Sequence, residues 1–154
     1  MTRSFTSRPP HASFLRRRRG GAALEFAMLV PVWLTALAGI AEFSWLVYSQ
    51  TTLDAAVNVG CRAGSLVDPG DGDQSLDLVY EVAQARTQAM MADMGDDCAD
   101  CAFDISATGT YPDRVLSCNV SRPFTAMLGL VVSGRNLNAT HVAHMEFQYE
   151  DPAI

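Results

Sequence analysis

One stretch limits what this chain can fold into. From Phe26 to Ala41 the sole polar residue is Thr35, and beyond Glu42 the apolar character resumes through Phe43-Ser44-Trp45-Leu46-Val47-Tyr48. As a helix rising 1.5 Å per residue, residues 26–48 reach about 35 Å, enough to cross a hydrocarbon layer about 30 Å thick. Trp45 and Tyr48 suit the far interface, where rings with one polar end settle. Pro31 would break a helix in water, but membrane helices tolerate one. A cleaved secretory signal has an apolar core of only about 7–15 residues and a small-residue cleavage site at a sharp end. This run is longer and lacks a clear A-x-A site, so a cleaved signal fits poorly. An uncleaved signal anchor is the serious alternative.

Charge is divided unevenly around this stretch. Six of the 11 arginines and no acid precede Gly21, whereas the other five arginines and all 17 acids follow, so the formal −6 splits into +6 and −12. The run Arg16-Arg17-Arg18-Arg19 beside a membrane span is a topology signal that holds the N-terminus in the cytoplasm. Residues beyond about 50 then face the periplasm or exterior. An acidic body is a poor match for nucleic acid, whose phosphates demand a basic surface.

Glu25 stands where the apolar run begins. A carboxylate at the bilayer centre costs about 2.5–3.5 kcal/mol on insertion scales, and less near the interface. Something must offset it. The plain account is the positive N-terminal end of the helix dipole.

The basic leader, Gly20-Gly21, and Glu25-Phe26 opening an apolar helix resemble the type IV prepilin class, and the Glu followed by an aromatic resembles its Flp/Tad subclass. Ala22-Ala23-Leu24-Glu25-Phe26-Ala27, Pro31, Gly39-Ile40-Ala41-Glu42-Phe43 and the continuation Leu53–Gly64 resemble the TadE-like family of minor pseudopilins. The resemblance covers roughly residues 16–65. Beyond it only Pro123-Phe124 and the stretch 136–147 look familiar. It implies that a prepilin peptidase cuts after a glycine, leaving Glu at mature position five. Cutting between Gly20 and Gly21 meets that rule; cutting after Gly21 would place Glu25 at position four. It also implies that the carboxylate of Glu25 meets the new N-terminal amine of a neighbouring subunit, which would offset its desolvation. Cys61 departs from the family pattern, where a small or charged residue is expected. Glu42 leaves two readings open, an interfacial carboxylate reaching headgroups or a contact with a partner helix.

The remaining chain predicts an α+β head. Leu53, Ala56, Val57 and Gly60 keep one helical face small and apolar, so the span extends as a helix to about residue 64. Asp68-Pro69-Gly70-Asp71-Gly72-Asp73 breaks it. That run alternates acids as a calcium loop does, but Asp73 stands where Gly is needed and Val79 where Glu is needed, so a solvated linker is the better reading. A second helix is expected over about Ser75–Met94, with Leu76, Val79, Val82, Ala83, Met90 and Met94 near one face and Gly95 closing it. Three strands follow by period-two alternation. Cys101, Phe103, Ile105 and Ala107 point inward in the first, and Leu116, Cys118 and Val120 in the second. In the third Leu137, His141, Ala143, Met145, Phe147 and Tyr149 do so. Thr110-Tyr111-Pro112-Asp113 supplies a turn. The apolar segment Phe124–Val132 is either a short helix or an exposed loop, the latter a candidate assembly surface. The expected divisions are a leader at 1–20, a transmembrane and extended helix at 21–65, and a periplasmic head at 66–154.

Four cysteines outside the cytoplasm permit bridges in three full pairings. Cys101 and Cys118 face the buried side of neighbouring strands, which favours a Cys101–Cys118 bond. Cys98–Cys118 is its rival, Cys98–Cys101 would close a very short loop, and Cys61 is left unpaired or bridging two chains. Cys98-Ala99-Asp100-Cys101 lacks the strand–helix context of a redox motif and the fourth ligand of a zinc site. His141 and His144 fall on opposite faces of a strand. No triad order, phosphate loop or HExxH occurs. The chain is therefore read as non-catalytic, with no cofactor and no metal.

The expected role is a minor pseudopilin, anchored in the inner membrane with its head in the periplasm and incorporated into an extracellular filament. It would take part in initiation or capping of a Tad/Flp-type pilus or related secretion filament. Its partners would be prepilin peptidase, other pilin and pseudopilin subunits, the inner-membrane assembly platform and the bilayer. The alternative is an unprocessed single-pass membrane protein with a periplasmic scaffold or binding head. A membrane-anchored redox or metal enzyme rests on the cysteines alone.

Overall fold

The computed structural model describes residues 15–68, 76–96, 98–110, 112–129 and 134–147, with side chains from Gly21 onward. Helix α1 runs Leu15–Ser65, helix α2 Asp77–Asp93, and strands β1, β2 and β3 run Ala102–Thr108, Val115–Pro123 and Asn136–His144. This is the α+β arrangement expected. The chain divides into two compact units, Met1–Ile40 and Ala41–Ile154.

In the first unit α1 is apolar and open. Leu24, Phe26, Met28, Val32, Trp33 and Leu34 are all exposed. Pro31 sits inside the helix without ending it. Its ring nitrogen cannot donate to Ala27. The Thr35 hydroxyl donates back to the Pro31 carbonyl at 2.8 Å. The one polar side chain between Phe26 and Ala41 is thus satisfied within its own helix, which removes most of its cost in hydrocarbon.

In the second unit the sheet order is β1-β2-β3, antiparallel throughout. The inward faces fall as period two predicts. Leu116, Cys118 and Val120 on β2 are buried, as are Leu137, Ala139 and Met145 in and after β3. Phe147 departs from the pattern at 42% exposed, because β3 has already ended at His144. The Thr110–Asp113 turn is closed by Asp113 N–H donating to Thr110 O at 2.8 Å. The outer face is polar, with Thr140 hydrogen-bonded across to Asn119.

Both helices cover the apolar face. Leu53, Ala56, Val57, Gly60, Cys61 and Gly64 form the buried stripe of α1, and Val79, Ala83, Thr87 and Met91 that of α2. The two stripes meet at small residues. A Cβ on Gly60 would overlap the Thr87 hydroxyl and lie 2.6 Å from Ala83 O, while one on Gly64 would lie 2.8 Å from Ala83 Cβ. Glycine at both sites is what lets the backbones approach so closely. Thr87, a polar residue in this seam, donates to Ala83 O at 2.8 Å. Helix α2 ends as its sequence predicts. Gly95 takes φ +77°, with Gly95 N–H bonded to Ala92 O and Asp96 N–H to Met91 O, a Schellman close. Tyr80 accepts from Ala107 N–H with its hydroxyl at 3.2 Å, which satisfies a donor on edge strand β1.

Candidate functional site

Residues 1–14 lie outside the described residues, as do the side chains of Leu15 to Arg19, the acidic run from Pro69 to Asp73, Leu130–Val132 and Tyr149. Gly21, Glu25 and Phe26 lie on the open part of α1, all exposed. A Cβ on Gly21 would meet nothing within 4 Å, and the same holds for Gly39. Glycine inside a helix costs about 1 kcal/mol relative to alanine. At Gly60 and Gly64 the contact with α2 explains that cost. At Gly21 no contact among the described residues does.

Glu42 takes neither course expected of it: it is fully buried in the second unit. The hydrogen bonds of this region involve Trp45, placed at the far interface by its sequence position, and Gln50, which sequence reasoning missed. Trp45 Nε1 donates to Thr125 O at 3.3 Å, and Gln50 Nε2 to Asn138 O at 2.8 Å and to Asp54 at 3.1 Å. Trp45 also stacks on Tyr48 at 5.7 Å. Of the Phe124–Val132 segment, the described residues 124–129 form no helix: Phe124 is buried, whereas Met127 and Leu128 are exposed.

The disulfide pairing corrects the expected Cys101–Cys118 bond. Cys61 bonds Cys118 and Cys98 bonds Cys101, with Cα separations of 5.8 and 5.1 Å. Register is the reason. Cys118 stands opposite Ile105, four residues along β1 from Cys101. Four residues of strand are about 13 Å, whereas a bridge needs Cα atoms within about 7 Å. Alternation correctly placed Cys118 inward but could not show that α1 passes over it. All four thiols are therefore consumed within the chain. No cluster of three or more metal-ligating side chains occurs among the described residues.

A membrane-length apolar helix joined to a small α+β head is the architecture of a single-pass membrane protein. The family model described as TadE-like protein matches residues 20–62, the segment that holds Gly20, Gly21, Glu25, Phe26 and the buried stripe of α1 up to Cys61. No curated protein and no solved structure matches the chain.

Proposed function

We propose that the protein is a minor pseudopilin, cut by prepilin peptidase between Gly20 and Gly21, whose mature chain joins a Tad/Flp-type pilus or related secretion filament. The carrying observation is the basic leader, glycine pair and Glu25-Phe26 at the head of a helix whose span is left uncovered, within a TadE-like match over residues 20–62. An uncovered apolar helix is suited first to lipid and then to neighbouring helices of the same kind. Gly21 supports processing, since a helix-weakening residue with no packing role in the described chain fits a requirement imposed by another protein.

In this reading the arginines hold the leader in the cytoplasm, and cleavage removes them. Glu25 then pairs with the amine of an adjacent subunit, and the head stays on the periplasmic side until assembly. The inner-membrane assembly platform and the other pilins are its partners. Its part is to initiate or cap the filament, and it does no catalysis.

The test is the mass of the N-terminus in membranes with and without prepilin peptidase. A chain beginning at Gly21 only when the peptidase is present is expected. Met1 in both would sink the reading in favour of an unprocessed membrane scaffold.

A further inference from the structure

We propose that the head carries a binding site for the headgroup of an anionic phospholipid, formed by Arg135 and the cavity beside it, with Met127 and Leu128 entering the adjoining apolar layer. The inference rests on reading the open part of α1 as a membrane span.

The first observation is charge. No acid occurs between Arg114 and Met145, although 17 occur in the chain, and that segment holds three of the five arginines beyond the leader. Arg122 is bound to Asp96, and Arg114 has an interaction of its own. The Arg135 side chain is exposed and has no ion pair among the described residues. Among the described residues, an acidic protein therefore offers one uncommitted guanidinium in its basic segment.

The second is depth. Exposed, stacked Trp45 and Tyr48 mark the headgroup level on α1, where amphipathic rings settle. A cavity of about 450 Å³ lies against the same turns of this helix, walled by Leu46, Val47 and Gln50 on one side and Arg135, Asn136 and Leu137 on the other. Its depth is therefore that of lipid phosphates.

The third is the β2–β3 connection. Trp45 holds Thr125 O at this level. Two and three residues on, Met127 and Leu128 are 65% and 51% exposed. Phe124 N–H donates to Arg135 O at 2.7 Å, so the two ends of the connection are tied together and the apolar residues and the cation belong to one structure. Side by side, an apolar pair and a guanidinium match the boundary between acyl chains and phosphates. The guanidinium fork takes two phosphate oxygens at once. Asn136 offers a polar group to a glycerol headgroup, and Leu46, Val47 and Leu137 an apolar wall to the first methylenes.

The test uses the full-length chain in vesicles of equal parts phosphatidylcholine and phosphatidylglycerol, extracted gently and weighed with its retained lipid by native mass spectrometry. Wild type should retain phosphatidylglycerol in preference. Arg135→Gln should lower that retention about fivefold, as expected for one arginine near an anionic surface. Leu128→Ser should lower it as well, and Arg86→Gln, an exposed site on α2, should not. Equal retention by wild type and Arg135→Gln overturns the inference, as does an equal loss in Arg86→Gln. Displacement of the lipid by inorganic phosphate would make this a free-anion site and overturn the lipid assignment. Loss of wild type from the vesicles under alkaline extraction would overturn the span reading itself. A chain that stays inserted without lipid preference overturns this inference alone.

Discussion

Gly60 of α1 lies directly against Thr87 of α2, leaving no room for a methyl group between the helices. Alanine at this site must push apart two backbones that are also held by the sheet. Gly60→Ala is expected to destabilise the head by about 2 kcal/mol, the cost of overpacking less a small gain in helix propensity. Gly64→Ala should act in the same direction, because Ala83 and Leu116 confine it. Gly39→Ala, in open space, should leave the head's denaturation midpoint unchanged. Denaturant titration of the full chain in detergent separates the three.

Disulfide connectivity gives a second set of outcomes. Peptide mapping without reduction should recover Cys61 linked to Cys118 and Cys98 linked to Cys101. The 57-residue separation of the first pair makes it worth about 4 kcal/mol on the chain-entropy account, against about 2 kcal/mol for the short loop. Cys61→Ser should therefore lower stability far more than Cys98→Ser. A chain dimer linked through Cys61 on a non-reducing gel would contradict the pairing.

Arg122 and Asp96 form a third testable contact. Their atoms approach to 2.5 Å, and the arginine side chain is only 10% exposed. Asp96→Asn leaves that guanidinium largely buried without its counter-charge. A loss of about 2 kcal/mol is expected, between the values for surface and buried pairs. Asp93→Asn, on the exposed side of the same helix end, should change stability little. Comparing the two midpoints checks the assignment.

Glu25 should matter to assembly and not to folding. It lies outside the unit that contains the core, and its side chain is exposed. Glu25→Ala is expected to insert into membranes and keep both disulfides, yet fail to enter filaments. Normal piliation by that variant would remove the role given to its carboxylate.

Much of the fold was legible because local patterns carried it. Period-two alternation identified most inward residues of the three strands, missing Ala139 and misplacing Phe147, and Gly95 marked the end of α2 before any contact was known. What stayed hidden depended on register and on long-range approach. Cys101 and Cys118 share a face, and only the pairing of Cys118 with Ile105 shows that they cannot meet. Cys61 looked like an anomaly because nothing local says that α1 crosses the middle strand there. Gly60 and Gly64 stood in a small apolar stripe, but their partners on α2 are not near them in the chain. The roles proposed for Glu25, Phe26 and the glycine pair rest on the motif, and the fold adds only that Gly21, Glu25 and Phe26 are exposed. Arg135 drew no notice, because only the fold sets it in the same cavity wall as Leu46.

The Cys61–Cys118 bond joins the helix that begins in the apolar span to the middle strand of the sheet. In the filament proposed above, a subunit is pulled along its helix whenever the fibre bears tension. Here that pull passes to the strand flanked by both others through a covalent link. The sheet cannot be peeled away from α1 one hydrogen bond at a time at this point. Under oxidising conditions the resistance of the head to stretching is therefore set by a sulfur–sulfur bond, and reduction would turn a stiff coupling into a soft one.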